Sequence, residues 1–484
     1  MGIVCMVNST AYATDAELPS DVLNSSWRDP TDDCPRTVNE DSISQRGYHG
    51  HILWTPQQQA KIFSANYFGS LCTNFLAGFL ADRFGPKRIL LAVVSAMVLS
   101  SFLAPTFAGT SYAAFYASRF TLGLAEGFVT PSGNSLASRW FPANEKSTMA
   151  ALYTSGNQLA AGSSSFIGSW MCGISWLDGW PLIFYMYGAF GVCWLILFGI
   201  VVSDYPNENQ WIRSEEKEYL SGQVNEKRKG GISVPWLRLS TSAPLLADLL
   251  CHFSFSFSVT IMQNFLPMYF KEHLFLPIYK NGFFATIPFF TQLIVKNMMA
   301  RLADHLKSTG RLSHTAAVKI FQSIGSYGSA VSLLCLAIFP DCHRPYLAVV
   351  FLISYGVFFS CGVCGFFTSL LSIAPPFTGT ITSCSMVFGV LASIAATNLY
   401  TFIVYMDWPH KFLILFLVAS TLQVIGGTIF LFLGSAEVQE WAKLSEKSDK
   451  VTSAESPLTA IEKTPLNGIE GDKERKESNG TRPV

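Results

Sequence analysis

Residues 77–88 read AGFLADRFGPKR, and residues 300–311 read ARLADHLKSTGR. Each stretch closes an apolar run with Leu-Ala-Asp and then opens a basic segment. The first carries Asp82, Arg83, Lys87 and Arg88; the second carries Asp304, Lys307 and Arg311. One copy alone is what acidic and basic residues capping a helix at a membrane surface would give. Two copies at matching places, on either side of the polar segment 203–242, make the chain two related halves. Repeated halves in an apolar chain are a mark of secondary transporters, which place their site near the bilayer midplane.

Composition agrees with a membrane chain. Of 484 residues, 50% are hydrophobic and only 14% charged, with a mean hydropathy of +0.32; soluble chains carry about 25% charge. Long apolar runs come near the roughly 20 residues needed to cross a bilayer as a helix. The pattern predicts an all-α membrane protein with spans at 57–80, 89–108, 112–136, 149–173, 181–202, 244–270, 282–303, 317–340, 346–373, 379–405 and 412–434. The first residues, MGIVCMV, are apolar but too short to cross. They lack the basic start and long apolar core of a secretory signal. The net charge is zero, so bulk electrostatic attraction to nucleic acid is not indicated.

Lys and Arg in short loops set the orientation. Arg83, Lys87, Arg88, Arg139, Lys146, Lys307, Arg311 and Lys319 crowd one set of loops, which is therefore read as cytosolic. The other set holds little beyond Lys271, Lys280, Arg344 and Lys411. The expected organisation is an N-terminal bundle at 1–202, with a luminal or extracellular loop at 9–56 and spans 2–6. A cytosolic linker follows at 203–242, a C-terminal bundle at 243–434 with spans 7–12, and a disordered cytosolic tail at 435–484. Within the linker, SEEKEYL predicts a short amphipathic helix. Two glycosylation sequons, at Asn8 and Asn24, fall on the non-cytosolic side; a third, at Asn479, falls on the tail and should stay bare.

Two ions sit inside one span. Arg119 and Glu126 are seven residues apart in SRFTLGLAEGFVTPSGNSLASRW, 118–140. Two helical turns put them on one face, about 10 Å apart along the axis. An ion at a helix centre costs a few kcal/mol or more, and such residues generally face a cavity or a partner. The pair therefore either shares water with a travelling anion or ties helices together through buried hydrogen bonds. Asn66, Tyr67 and Asn74 in one span, and Tyr153, Asn157 and Gln158 in another, are candidate cavity groups; helix–helix hydrogen bonding is the alternative for each. Asp248 and His252 lie one turn apart and could relay protons or simply pair. Lys296 either snorkels to the cytosolic surface or lines the path. The 11 cysteines are scattered. Cys361 and Cys364 have a redox-like spacing in a span rich in small residues, where packing is the simpler reading. Cys34 and Cys342 share the non-cytosolic side, where a disulfide can form. No zinc spacing, phosphate-binding loop or nucleophile elbow stands out, so an enzyme is not expected.

The loop GFLADRFGPKR, with Gly78, Asp82, Arg83, Gly85, Lys87 and Arg88, resembles the loop 2–3 signature of the major facilitator superfamily. RFTLGLAEGFVTPSGNSLASRWFPANEKS, GWPLIFYMYGAFGVCW, VPWLRLSTSAP, NGFFATIPF, RLADHL, SIAPPFTG and GSAEVQEW follow in order. Together they resemble its anion–cation symporter family, which includes sialin, the vesicular glutamate transporters and the type I sodium–phosphate cotransporters. The resemblance implies the major facilitator fold: two six-helix bundles, here eleven full spans plus a stub of the first. It implies that Arg119 holds a substrate anion or gates its path and that Glu126 binds the coupling proton; Asn66, Tyr67, Tyr153 and Asn157 are the polar residues expected to join them in the site. It further implies no cofactor beyond a coupling H+ or Na+, and a monomer in a plasma, lysosomal or vesicular membrane. Departures from the family pattern are Phe63 for a His, Phe255 for the Arg of glutamate transporters, Leu122 for a second acid, Ser369 and Ser372 for Asn-x-x-Asp, and Met386 for an Asn. These argue against glutamate as substrate. The family's first span ends in the equivalent of VCMVN, which here starts at Val4. The rival expectation is therefore a non-transporting membrane protein with a binding or regulatory role.

Overall fold

Helix ends follow from short-range chemistry. Thr55 opens the first long helix, α2, Pro56–Phe84. Its hydroxyl accepts from the Gln58 amide at 3.1 Å, and the Gln58 side chain accepts from the Thr55 amide at 2.9 Å. Pro56 sits where no helical amide is needed. Gly85 ends α2 with φ +89°, a conformation that favours glycine, and α3, Pro86–Thr110, starts at once. Its first turn is tied down by Asp204, which accepts from the Lys87 amide at 2.8 Å. An added Cβ at Gly85 would lie 2.7 Å from an Asp204 oxygen. The loop thus requires glycine twice over, for its backbone angle and for its space.

In this computed structural model, residues 2–8, 48, 50–140, 146–174, 179–221, 236–374, 377–408 and 410–442 are described. Asn24, Cys34, Asn479 and most of the 9–56 loop and the tail lie outside them. A short α1, Gly2–Met6, precedes α2 and α3. The N-terminal half continues with α4, Tyr112–Trp140, α5, Lys146–Cys172, and α6, Trp180–Val201. The linker holds α7, Ser214–Ser221, where SEEKEYL predicts a helix, and α8, Trp236–Ser240. The C-terminal half has α9, Ala243–Asn264, α10, Leu266–Glu272, α11, Ile278–Ser308, and α12, His314–Ile338. In α13, Pro345–Gly362, the helix passes through a π-helical turn, Val363–Phe367, into α14, Thr368–Ser372. Two long helices follow, α15, Thr378–Tyr405, and α16, Lys411–Leu433. Among the described residues, each of the eleven expected spans coincides with a long helix. Eight are long and apolar enough to cross a membrane. The other three, α2, α4 and α5, carry the candidate site residues, whose polarity dilutes the signal.

Small residues let the helices approach. A Cβ added at Gly123 would fall 1.9 Å from the Asn66 carbonyl oxygen; one at Gly69 would fall 2.2 Å from that of Phe120. Gly127 lies as tightly against Thr73. This glycine seam joins α2 to α4, as small-xxx-small interfaces do in membranes. In the C-terminal half, α9 and α15 are joined by a polar ladder. His252 Nδ1 is 2.5 Å from Ser385 Oγ, and Thr260 donates to Ser393 at 2.8 Å. Both pairs are 133 residues apart. Between them, Gly389 leaves room for Ser256, also 133 positions away. A constant offset means that the two helices run parallel in register.

The two halves meet by the ends opposite the basic loops. Ser64 on α2 donates to Thr397 on α15 at 2.8 Å, Ser169 on α5 donates to the Ile278 carbonyl of α11 at 2.5 Å, and Thr286 donates to the Gly162 carbonyl at 3.0 Å. On the same face, Ile52 and Val7 form a parallel bridge. Tyr48 donates to the Leu276 carbonyl at 3.0 Å and accepts from Asn281 at 3.0 Å. Lys271 reaches the Val4 carbonyl at 3.1 Å and lies 4.6 Å over the Tyr48 ring. A disulfide links Cys5 to Cys172, the last residue of α5. The sequence reading did not foresee this bridge. Cys342 is also disulfide-bonded.

Candidate functional site

The glycine seam positions the acid. Gly123 and Gly127 bring α4 against α2 on either side of Glu126. Asn66 there donates to the Glu126 carboxylate at 2.5 Å. Glu126 is otherwise exposed, so one oxygen is held while the rest of the carboxyl is left accessible. The Asn66 amide oxygen is buried without a partner.

The cation sits differently. Arg119 is partly buried between two rings, 4.9 Å from the centre of Phe115 and 5.4 Å from that of Phe184 on α6. Its Nε and Nη2 are buried and make no hydrogen bond. Cation–π contacts yield about 0.5–2 kcal/mol each, whereas each buried donor left unpaired costs about 1–3 kcal/mol. The rings steer the guanidinium without satisfying it. Arg119 presents unused donors, in a fork that suits a carboxylate or phosphate. The two ions contact different helices: Glu126 bonds to α2, and Arg119 leans on α6.

Tyr67, next to Asn66, connects the two halves. Its hydroxyl accepts from Asn264 at the end of α9, at 3.1 Å. Phe63 on the same helix meets Phe265 edge-on at 5.8 Å. Asn74 turns back to Ser70 at 3.4 Å, within its own helix. Asn157 on α5 is exposed, and the Gln158 oxygen is buried without a partner. Tyr153 lies in α5, but its side chain is outside the described residues, as is that of Asp82. Arg83 and Arg88 are exposed. Lys87 donates to the Gly199 carbonyl at 2.9 Å, so the basic loop braces the cytosolic ends of α3 and α6. In the second copy, Asp304 pairs with Lys307 at 2.7 Å.

Two expectations change, and a third, the packing role of Cys361 and Cys364, is met. Asp248 and His252 do not pair: Asp248 bonds to Ser369, while His252 faces Ser385 and stacks on Phe366 at 5.5 Å. Their side chains leave α9 toward different neighbours. Lys296 is 6% exposed, so it does not snorkel to the surface. Cys361 and Cys364 are both free thiols packed against Ala303 and Phe321. The aromatic pair around Arg119 and the Tyr67–Asn264 bridge escaped the sequence reading, since no local spacing joins residues from such distant helices. On the luminal side, burial lowers Lys271 to about 8, partly offset by the neighbouring Glu272.

The sequence profile of the Major Facilitator Superfamily matches residues 39–397. The chain is 33% identical to an uncharacterized transporter of Caenorhabditis elegans, over 95% of this chain and 89% of that one. It is 28% identical to sialin of Homo sapiens, over 80% of this chain and 78% of sialin. Among solved structures it resembles a D-xylose–proton symporter, with a TM-score of 0.62 and 16% identity, covering 78% of this chain and 88% of that one. At that identity the likeness concerns the fold.

Proposed function

The chain belongs to the major facilitator superfamily and is a multi-pass membrane protein, and from that premise we propose that it is a secondary active transporter of a small anion, an acidic sugar, carboxylate or phosphate. The observation that carries the reading is Arg119, held between two rings with two buried donors unspent. An incoming carboxylate or phosphate supplies the missing acceptors. The likeness to sialin supports an anionic cargo. Glu126, accessible yet held by Asn66, serves as the coupling carboxyl: it takes a proton on one side and releases it on the other. Tyr67 relays this state to the second half through Asn264.

Transport proceeds by rocking of the two halves about this site. The contacts between them lie at the luminal ends of α2, α5, α11 and α15, which fits a conformer open toward the cytosol. Opening to the other side requires the Tyr48, Ser64 and Ser169 bonds to break. A few hydrogen bonds of about 0.6 kcal/mol each in a membrane are within reach of an ion gradient. Chemistry on the cargo plays no part. The test is uptake of sialate, glutamate, aspartate, phosphate and urate into liposomes holding the purified protein, under an imposed proton or sodium gradient. Proton-driven uptake of one or more anions is expected. Sodium-driven uptake would reassign the coupling ion, and no uptake of any anion would overturn the reading.

A further inference from the structure

Asp248 is wholly buried, with no solvent exposure, near the cytosolic end of α9, and so is Ser369 in α14. Ser369 Oγ lies 3.0 Å from Asp248 Oδ2 and 2.6 Å from the main-chain oxygen of Ser435, just past α16. The other carboxyl oxygen, Oδ1, is buried with no partner. A hydroxyl has a single proton to give. The Ser435 carbonyl has none to offer, so its short contact consumes the Ser369 proton. The contact with Oδ2 is then a hydrogen bond only if Asp248 is the donor.

We infer that Asp248 is a proton-binding site in the C-terminal half: a neutral carboxylic acid that donates through Oδ2 to Ser369, which donates in turn to Ser435. The rest of its surroundings agree. α14 contributes Ser369, and the segment after α16 contributes only the Ser435 carbonyl. On α9 itself, Cys251 gives its thiol to the Gly426 carbonyl at 3.2 Å, and His252 is turned toward Ser385. Among the described residues no charged side chain acts on the carboxyl. An ionised carboxylate with one hydrogen bond would be left without a counter-charge in a buried site, which is prohibitive; the neutral acid satisfies three of the four groups. The acid ties α9 to α14 and to the chain leaving α16. It stands apart from Glu126, which is accessible and lies in the other half.

Infrared difference spectroscopy on the full-length protein at neutral pH tests this directly, because a protonated carboxylic acid has its own carbonyl stretch. The band is expected in the wild type, lost in Asp248→Asn and retained in Glu126→Gln. Its absence from the wild type, or its persistence unchanged in Asp248→Asn, would overturn the inference. If Asp248→Asn fails to fold, Ser369→Ala gives a second reading. Removing the acceptor should move the band to the higher frequency of a free acid, and an unmoved band overturns the site. Thermal stability adds a readout independent of transport. The folded chain holds a proton that the unfolded chain sheds above about pH 4, so the wild type should lose stability as pH rises from there through neutrality. In Asp248→Asn that decline should shrink; an equal decline in both would count against the site.

Discussion

Arg119 and Glu126 are legible as ions misplaced in an apolar run, but their environments are not. The ring sandwich and the Asn66 bond come from α6 and α2, far away in sequence. Two predictions belong at this scale. Glu126→Gln keeps the size of the side chain and removes its titration. Uptake should then lose its dependence on the proton gradient while the purified protein melts as before; a retained pH profile would remove Glu126 from coupling. Arg119→Ala should lower anion uptake by tenfold or more, since losing a bidentate charged contact of about 1.5–3 kcal/mol amounts to at least that factor. Arg119→Lys, with charge but no fork, should fall between the two, as measured by initial uptake rates over a range of anion concentrations.

Hydrophobic runs reveal the long helices because every backbone group in a bilayer must be satisfied within the helix. Their ends agree with the expected spans to within several residues. What the runs hide is the fit between helices. Gly123 reads as one more small residue until the Asn66 oxygen is found where its Cβ would be. Gly123→Val should therefore push α4 off α2, lower the melting temperature in detergent by an amount corresponding to about 1–3 kcal/mol, and reduce uptake by displacing Asn66 from Glu126. A variant that melts and transports normally would mean that the seam is loose. The luminal contacts were equally hidden, since Lys271 looks like a plain loop cation. Burial lowers it to about 8 from 10.5, so between those values the unfolded chain holds more protons than the folded one. Its contribution to stability should rise with pH across that window. Melting curves of wild type and Lys271→Met in that range should diverge accordingly; parallel curves would show that the amine titrates normally.

For the whole molecule, the repeated Leu-Ala-Asp segments already indicated two halves. The stitching on the luminal face was not visible, because Cys5 and Cys172 are 167 residues apart and no spacing rule joins them. Reducing that bridge should destabilise the protein by about 2–5 kcal/mol. A peptide map without reductant should recover the two cysteines in one linked fragment, and separate fragments would refute the pairing. The polar ladder of α9 and α15 has a mechanical consequence. With rungs fixed at one offset, a slip of a single residue along the axis would unseat every rung together. Sliding one helix along the other therefore loses all the rungs at once, whereas swinging the pair as one girder loses none, so the flexing that transport demands falls more readily to the joints at their tips.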